Sequence, residues 1–151
     1  MSIHYLLGVF HLLALPVGLG GVWMRARGLS RVASDGKPAL DSALAADNFW
    51  GIAALLWWGT GIPRAFFGFE KGWAYYSGNW IFWTKMTLLV ITLLLEIWPM
   101  ITLIRWRITM QKGGRPDLSR AGTFAKVSYA QAGIVFAMIF MAAAMSHGLG
   151  N

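Results

Sequence analysis

Four long apolar runs, separated by short polar connections rich in glycine and proline, dominate the chain. They extend from about Ile3 to Met24, Asn48 to Phe67, Trp80 to Ile104 and Phe124 to Ser146. Each holds roughly 20–25 residues, enough at about 1.5 Å per residue to cross a hydrocarbon core of about 30 Å. Lipid offers no partner to a bare backbone N–H or C=O, so the runs are expected to be helices. The expected fold class is therefore all-α: an integral membrane four-helix bundle forming a single transmembrane domain over residues 1–151. Turn signals mark the connections, at Asp35-Gly36-Lys37-Pro38 and at Gly113-Gly114-Arg115-Pro116-Asp117. A short helix-compatible stretch, Ala39–Ala46, follows the first of these. The first run has no basic residue before it and no clear small-x-small cleavage site after it. It is expected to be a retained span rather than a cleaved signal peptide.

Composition agrees with a membrane solvent. Of 151 residues 57% are hydrophobic and only 13% charged, against about 25% charged in an ordinary soluble domain. Nine Trp and nine Phe suit interfacial and lipid-facing surface. Cysteine is absent, which excludes disulfides, thiolate metal sites, Fe–S clusters and cysteine nucleophiles. No Gly-x-Ser-x-Gly elbow, phosphate-binding loop or His-Glu-x-x-His zinc helix is present.

The net charge of +7 is organised by topology. Arg25, Arg27, Arg31 and Lys37 lie between the first two runs. Arg105, Arg107, Lys112, Arg115, Arg120 and Lys126 lie between the last two or at the edge of the fourth. Arg64 and Lys71 alone flank the middle connection, and Lys85 falls inside the third run. This asymmetry predicts two cytoplasmic basic loops, with both termini and the Pro63–Asn79 loop on the outer, periplasmic side. The expected location is the bacterial inner (cytoplasmic) membrane, multi-pass, with membrane lipid as a partner and no nucleic acid.

Ionisable residues inside a bilayer are costly, and each is read first as functional. His4 and His11, seven residues apart, share a helix face with Gly8, Leu15 and Gly18, about 10 Å from one another along the axis. The glycines make room for a close helix neighbour or a flat ligand. Lys85, Thr92 and Glu96 share a face of the third helix, and Glu96 lies about 16 Å deeper than Lys85, too far for a direct ion pair. Pro99 marks a kink site one turn later. His11 and Lys85 both fall about 8–12 Å below the outer surface. His4, His147 and Arg64 sit near the outer ends of their spans. Neutral imidazole ligates metal and haem, basic side chains pair with propionates, and facing helices of a bundle make cofactor sites. His11, His4, His147 and Arg64 are thus candidate cofactor-binding residues, with His11 the candidate ligand of a haem iron. Lys85 and Glu96 are candidate catalytic groups. Plainer roles exist for each: interfacial residues at His4, His147 and Arg64, a packing hydrogen bond at His11, snorkelling at Lys85, a packing acid at Glu96. The aromatic residues Trp73, Tyr75, Tyr76, Trp80 and Trp83 read as an interfacial belt.

The run from His11 through Gly18 to Gly21, with Arg27 beyond, resembles the first helix of HemJ-type protoporphyrinogen oxidases. Trp83-Thr-Lys85-Met-Thr-Leu resembles their Trp- and Lys-bearing helix start. That resemblance implies haem b, with His11 as ligand and Lys85 as its functional partner. Over most of its length the chain resembles a bacterial family of four-span membrane proteins, domain of unknown function 2214. The pieces that carry this likeness are Gly51-Ile-Ala-Ala-Leu-Leu-Trp57, Lys71-Gly-Trp-Ala-Tyr75-Tyr76 and Asn79-Trp-Ile-Phe-Trp-Thr-Lys85-Met86.

Three functions are therefore expected in competition. The first is a haem b-binding inner-membrane redox protein, an oxidoreductase acting on a porphyrinogen or a quinone-linked electron carrier. The second is a small ion or solute transporter, assembled as a homo-oligomer, with Lys85, Thr92 and Glu96 as its track. The third is a non-catalytic membrane scaffold subunit.

Overall fold

The computed structural model describes residues 3–67 and 71–150; Met1 and Ser2, part of the reading of the first run, and residues 68–70 of the middle connection lie outside the described residues. Among those described, the regular structure is entirely helical: α1 (Ile3–Ser30), α2 (Val32–Asp35), α3 (Lys37–Phe66), α4 (Trp73–Ser77), α5 (Trp80–Gln111) and α6 (Ala121–Ser146). The four long helices carry 28, 30, 32 and 26 residues, so each is longer than a hydrocarbon core of about 30 Å requires.

Three of them, α1, α5 and α6, are long and apolar enough to cross a membrane. α3 has the length but not the same apolarity. Its first half carries Lys37, Asp41 and Asp47, and its apolar part is diluted by Trp50, Trp57, Trp58, Gly51, Gly59 and Gly61.

The helices extend past the apolar runs at the end where the basic residues gather. α1 continues six residues beyond Met24, and α3 begins at Lys37 rather than Asn48, absorbing the stretch Ala39–Ala46. Pro38 at the start of α3 fits this, because a first-turn proline has no hydrogen-bonding N–H to lose. Gly36, at φ 63°, turns the chain from α2 into α3 in a conformation that L side chains rarely adopt.

α1 and α3 form the closest pair and run antiparallel, in contact from Gly28 to His11 of α1. Gly28 meets Ala43, Gly21 meets Trp50, Gly18 meets Ala53 and Trp57, and His11 meets Thr60 and Gly61. Glycine is required where backbones touch. A Cβ on Gly21 would stand 2.8 Å from the Trp50 nitrogen, and one on Gly28 would stand 2.9 Å from the Ala43 nitrogen. Small residues at such crossings let helices approach in a solvent that supplies no hydrophobic drive between them. The glycines read as room for a neighbour or a ligand thus divide: Gly18 is filled by Trp57, whereas Gly8 faces open space.

α6 packs against α1 and against α5, also antiparallel. Phe82 of α5 clusters with Met145 of α6, and Trp98 with Phe124. Three apolar layers result. At the basic end Leu29, Leu40, Leu44, Leu103, Trp106 and Phe124 join all four long helices. Val22, Trp50, Ala132 and Val135 fill the middle. Ile81, Phe82 and Met145 close the other end. There α4 sits over the bundle, with the Trp73 ring stacked on Phe66 at 5.2 Å and edge-on to Phe82 and Trp83. Asn79 caps α5 by accepting from the Phe82 N–H and donates to the Leu149 carbonyl, so the C-terminal turn is tied to the start of α5. Of the residues read as a belt, Trp73, Trp80 and Trp83 are exposed while Tyr75 and Tyr76 are half-buried, and Trp73 and Trp83 also pack edge-on to one another at this end.

Candidate functional site

Between the basic-end layer and the middle layer lies a polar centre. Arg25, on the inward face of α1 between Val22 and Leu29, has no solvent exposure. Its Nη1 donates to Asp47 Oδ1 (2.8 Å) and to Glu96 Oε1 (2.7 Å). Its Nη2 donates to Glu96 Oε2 (2.8 Å) and Gln131 Oε1 (2.8 Å), and its Nε donates to Ser128 Oγ (3.0 Å). A guanidinium has five N–H groups, and all five are placed. Gln131 Nε2 donates in turn to Glu96 Oε2 (2.8 Å) and to the Thr92 carbonyl (3.1 Å). Arg107 Nη2 donates to Asp47 Oδ2 (2.9 Å) and to the Leu44 carbonyl (2.7 Å). Two arginines and two carboxylates thus balance in charge, and the centre takes members from every long helix. No buried side-chain polar atom among the described residues lacks a partner.

The position of Arg25 corrects the sequence reading, which counted it with Arg27 and Arg31 among exposed loop charges. The apolar run ends at Met24, but the helix does not. At 100° per residue the next position turns inward while Arg27 turns out, and Arg27 is exposed. Asp47, Ser128, Gln131 and Arg107 were not recognised as members either. Signals for two of them existed: Ser128 and Gln131 stand three apart in the fourth run, hence on one helix face.

Glu96, read as a catalytic candidate, is placed in this centre, 15% exposed at its side chain, with both oxygens engaged by Arg25 and Gln131. Thr92, on the same face of α5, donates its hydroxyl to the Leu88 carbonyl. Lys85 lies eleven residues towards the aromatic end and is half-buried.

The other candidates gather towards the aromatic end but not at one point. His11 Nδ1 lies 2.8 Å from Thr60 Oγ1. Thr60 commits its own proton to the Leu56 carbonyl at 2.5 Å, so its oxygen can only accept from the imidazole. That pairing suits the tautomer protonated at Nδ1. Gly61 holds the ring from the side: a Cβ there would touch His11 Cε1 at 3.4 Å. Arg64 follows one turn later on α3 and is half-buried. His4 is exposed in the first turn of α1, and His147 is exposed where α6 ends. Among the described residues no group of three or more His, Asp and Glu side chains is arranged to hold a metal ion.

The model of one protein family, described as "Predicted membrane protein (DUF2214)", matches residues 3–150, almost the whole chain. No curated protein and no solved structure matches it.

Proposed function

The chain belongs to the DUF2214 family of predicted membrane proteins, and from that premise we propose that it is a haem b-binding redox protein of the bacterial inner membrane, with His11 as the axial ligand. In this reading α3 is the fourth span, the basic end faces the cytoplasm, and both termini face the periplasm. The distribution of basic residues supports this orientation.

The observation that carries the haem reading is the chain from His11 to Thr60 to the Leu56 carbonyl. Ligating histidines characteristically donate their second ring N–H to a fixed acceptor, which sets the tautomer and aims the other nitrogen. The donor set fits a site with one histidine. His4 is two helical turns, about 10 Å, away along the same helix, too far to share one metal ion with His11. A Cβ at Gly8, one turn before His11, would meet nothing within 4 Å, so no side chain crowds that face of the helix there. When bound, haem would supply one-electron redox chemistry. Arg64 and Lys85 would hold its propionates or an anionic substrate such as a porphyrinogen, and a quinone would be the alternative electron partner. The transporter reading draws less support, because Glu96 and Thr92 on its track are committed to fixed hydrogen bonds.

The absorption spectrum of the purified protein tests this. A Soret band is expected, with α and β bands sharpening on dithionite reduction, and His11→Ala should abolish it while the protein stays folded. A preparation from haem-replete cells that is colourless, and stays so after haemin is added, overturns the proposal.

A further inference from the structure

A second site lies at the basic end, apart from both polar centres. A cavity of about 310 Å³ opens between the last turns of α5 and the connection to α6, near the lower end of the range usual for small-ligand pockets. Trp98, Thr102, Arg105, Arg115, Asp117 and Arg120 line it. Three arginines therefore line one space with a single carboxylate among them. That carboxylate is occupied: the Ser119 N–H donates to Asp117 at 3.0 Å, which holds its pKa below the ordinary 3.8. Among the described residues neither Arg105 nor Arg115 forms an ion pair. The buried centre balances its two arginines with two carboxylates; this pocket leaves an excess of positive charge.

The walls of the cavity differ in chemistry. Arg120 lies over the Trp98 ring, 5.1 Å from its centroid, which fixes that guanidinium at the mouth. Trp98 is 47% exposed and belongs to an apolar face of α5 that includes the exposed Leu94, Ile97 and Ile101. One side of the pocket is thus continuous with surface suited to acyl chains, and the other is lined by groups that bind phosphate through paired N–H donors. A phosphate ester alone uses only the second side; an amphiphile uses both. The geometry points to a binding site for the head group of an anionic phospholipid, held by Arg105, Arg115 and Arg120 with its chains along the Trp98 face. Basic pockets at the membrane surface of helical proteins have the charge for such head groups.

The test uses the full chain in a neutral detergent, with phosphatidylglycerol or phosphatidylcholine of identical acyl chains titrated in. Retained lipid is counted by native mass spectrometry. Phosphatidylglycerol should be retained at about tenfold lower concentration than phosphatidylcholine, and Arg115→Gln with Arg120→Gln should remove that preference. Arg27→Gln with Arg31→Gln removes the same charge from exposed positions at the same end of the bundle, and should leave it intact. Arg115→Gln alone, in the connecting loop, should weaken it in part and serves if the double variant does not fold. Equal retention of the two lipids overturns the proposal. So does an equal loss in the Arg27 and Arg31 variant, which would mean diffuse attraction. Displacement of the lipid by inorganic phosphate at comparable concentration also overturns it, since the site would then be one for the free ion.

Discussion

Arg25 and His11 lie on the same helix, about four turns apart, yet the polar groups around them are built on opposite plans. Arg25 uses every donor it has, on partners drawn from three other helices, and the charges around it cancel. His11 meets the neighbouring helix through a chain of two hydrogen bonds, from its Nδ1 to Thr60 and from Thr60 to the Leu56 carbonyl. A group with every valence satisfied holds helices in register. Burial and charge alone would rank Arg25 as the functional residue, whereas the completeness of its bonding assigns it to architecture.

Three perturbations separate the two plans. The largest effect is expected from Arg25→Met, which leaves Asp47 and Glu96 in the bundle without their shared cation. Loss of about 3–5 kcal/mol of stability should follow, read from denaturant or thermal unfolding in detergent. Adding Glu96→Met should recover part of that loss, a non-additivity that an independent pair of sites would not show. Next, Gly21→Ala should cost about 1–3 kcal/mol, because its Cβ would press on the Trp50 backbone. Its neighbour Gly20→Ala meets nothing within 4 Å and should be neutral or stabilising by up to about 1 kcal/mol. The smallest change in stability, about 1 kcal/mol, is expected for Thr60→Val, which removes the acceptor for His11. If His11 serves as a ligand, that same variant should weaken haemin affinity by about 10–100-fold in a spectroscopic titration. A Thr60→Val protein with unchanged haemin affinity would remove the distinction between the two plans.

Much of the α1 face was legible in advance. The spacing of His11 and Gly18 placed them together, and both meet α3. The separation of Lys85 from Glu96 was legible too, since eleven residues of helix fix a distance by arithmetic. The partner of Glu96 was not. Its candidates lay 71 and 35 positions away in sequence, and no local pattern ranks residues on different helices by proximity. Arg25 was misplaced for a related reason: a hydropathy boundary records where apolar residues stop, not where the helix stops.

The sequence by itself determined the all-helical class, the membrane as solvent and the segregation of basic residues to one end, because these follow from composition and from backbone needs local to each segment. Tertiary structure decided which charges are surface and which are core, that Gly21 and Gly28 serve backbone contact, and that His11 pairs with Thr60. Each of these depends on what the neighbouring helix presents at a given level, and the register between two helices is a property of neither one alone.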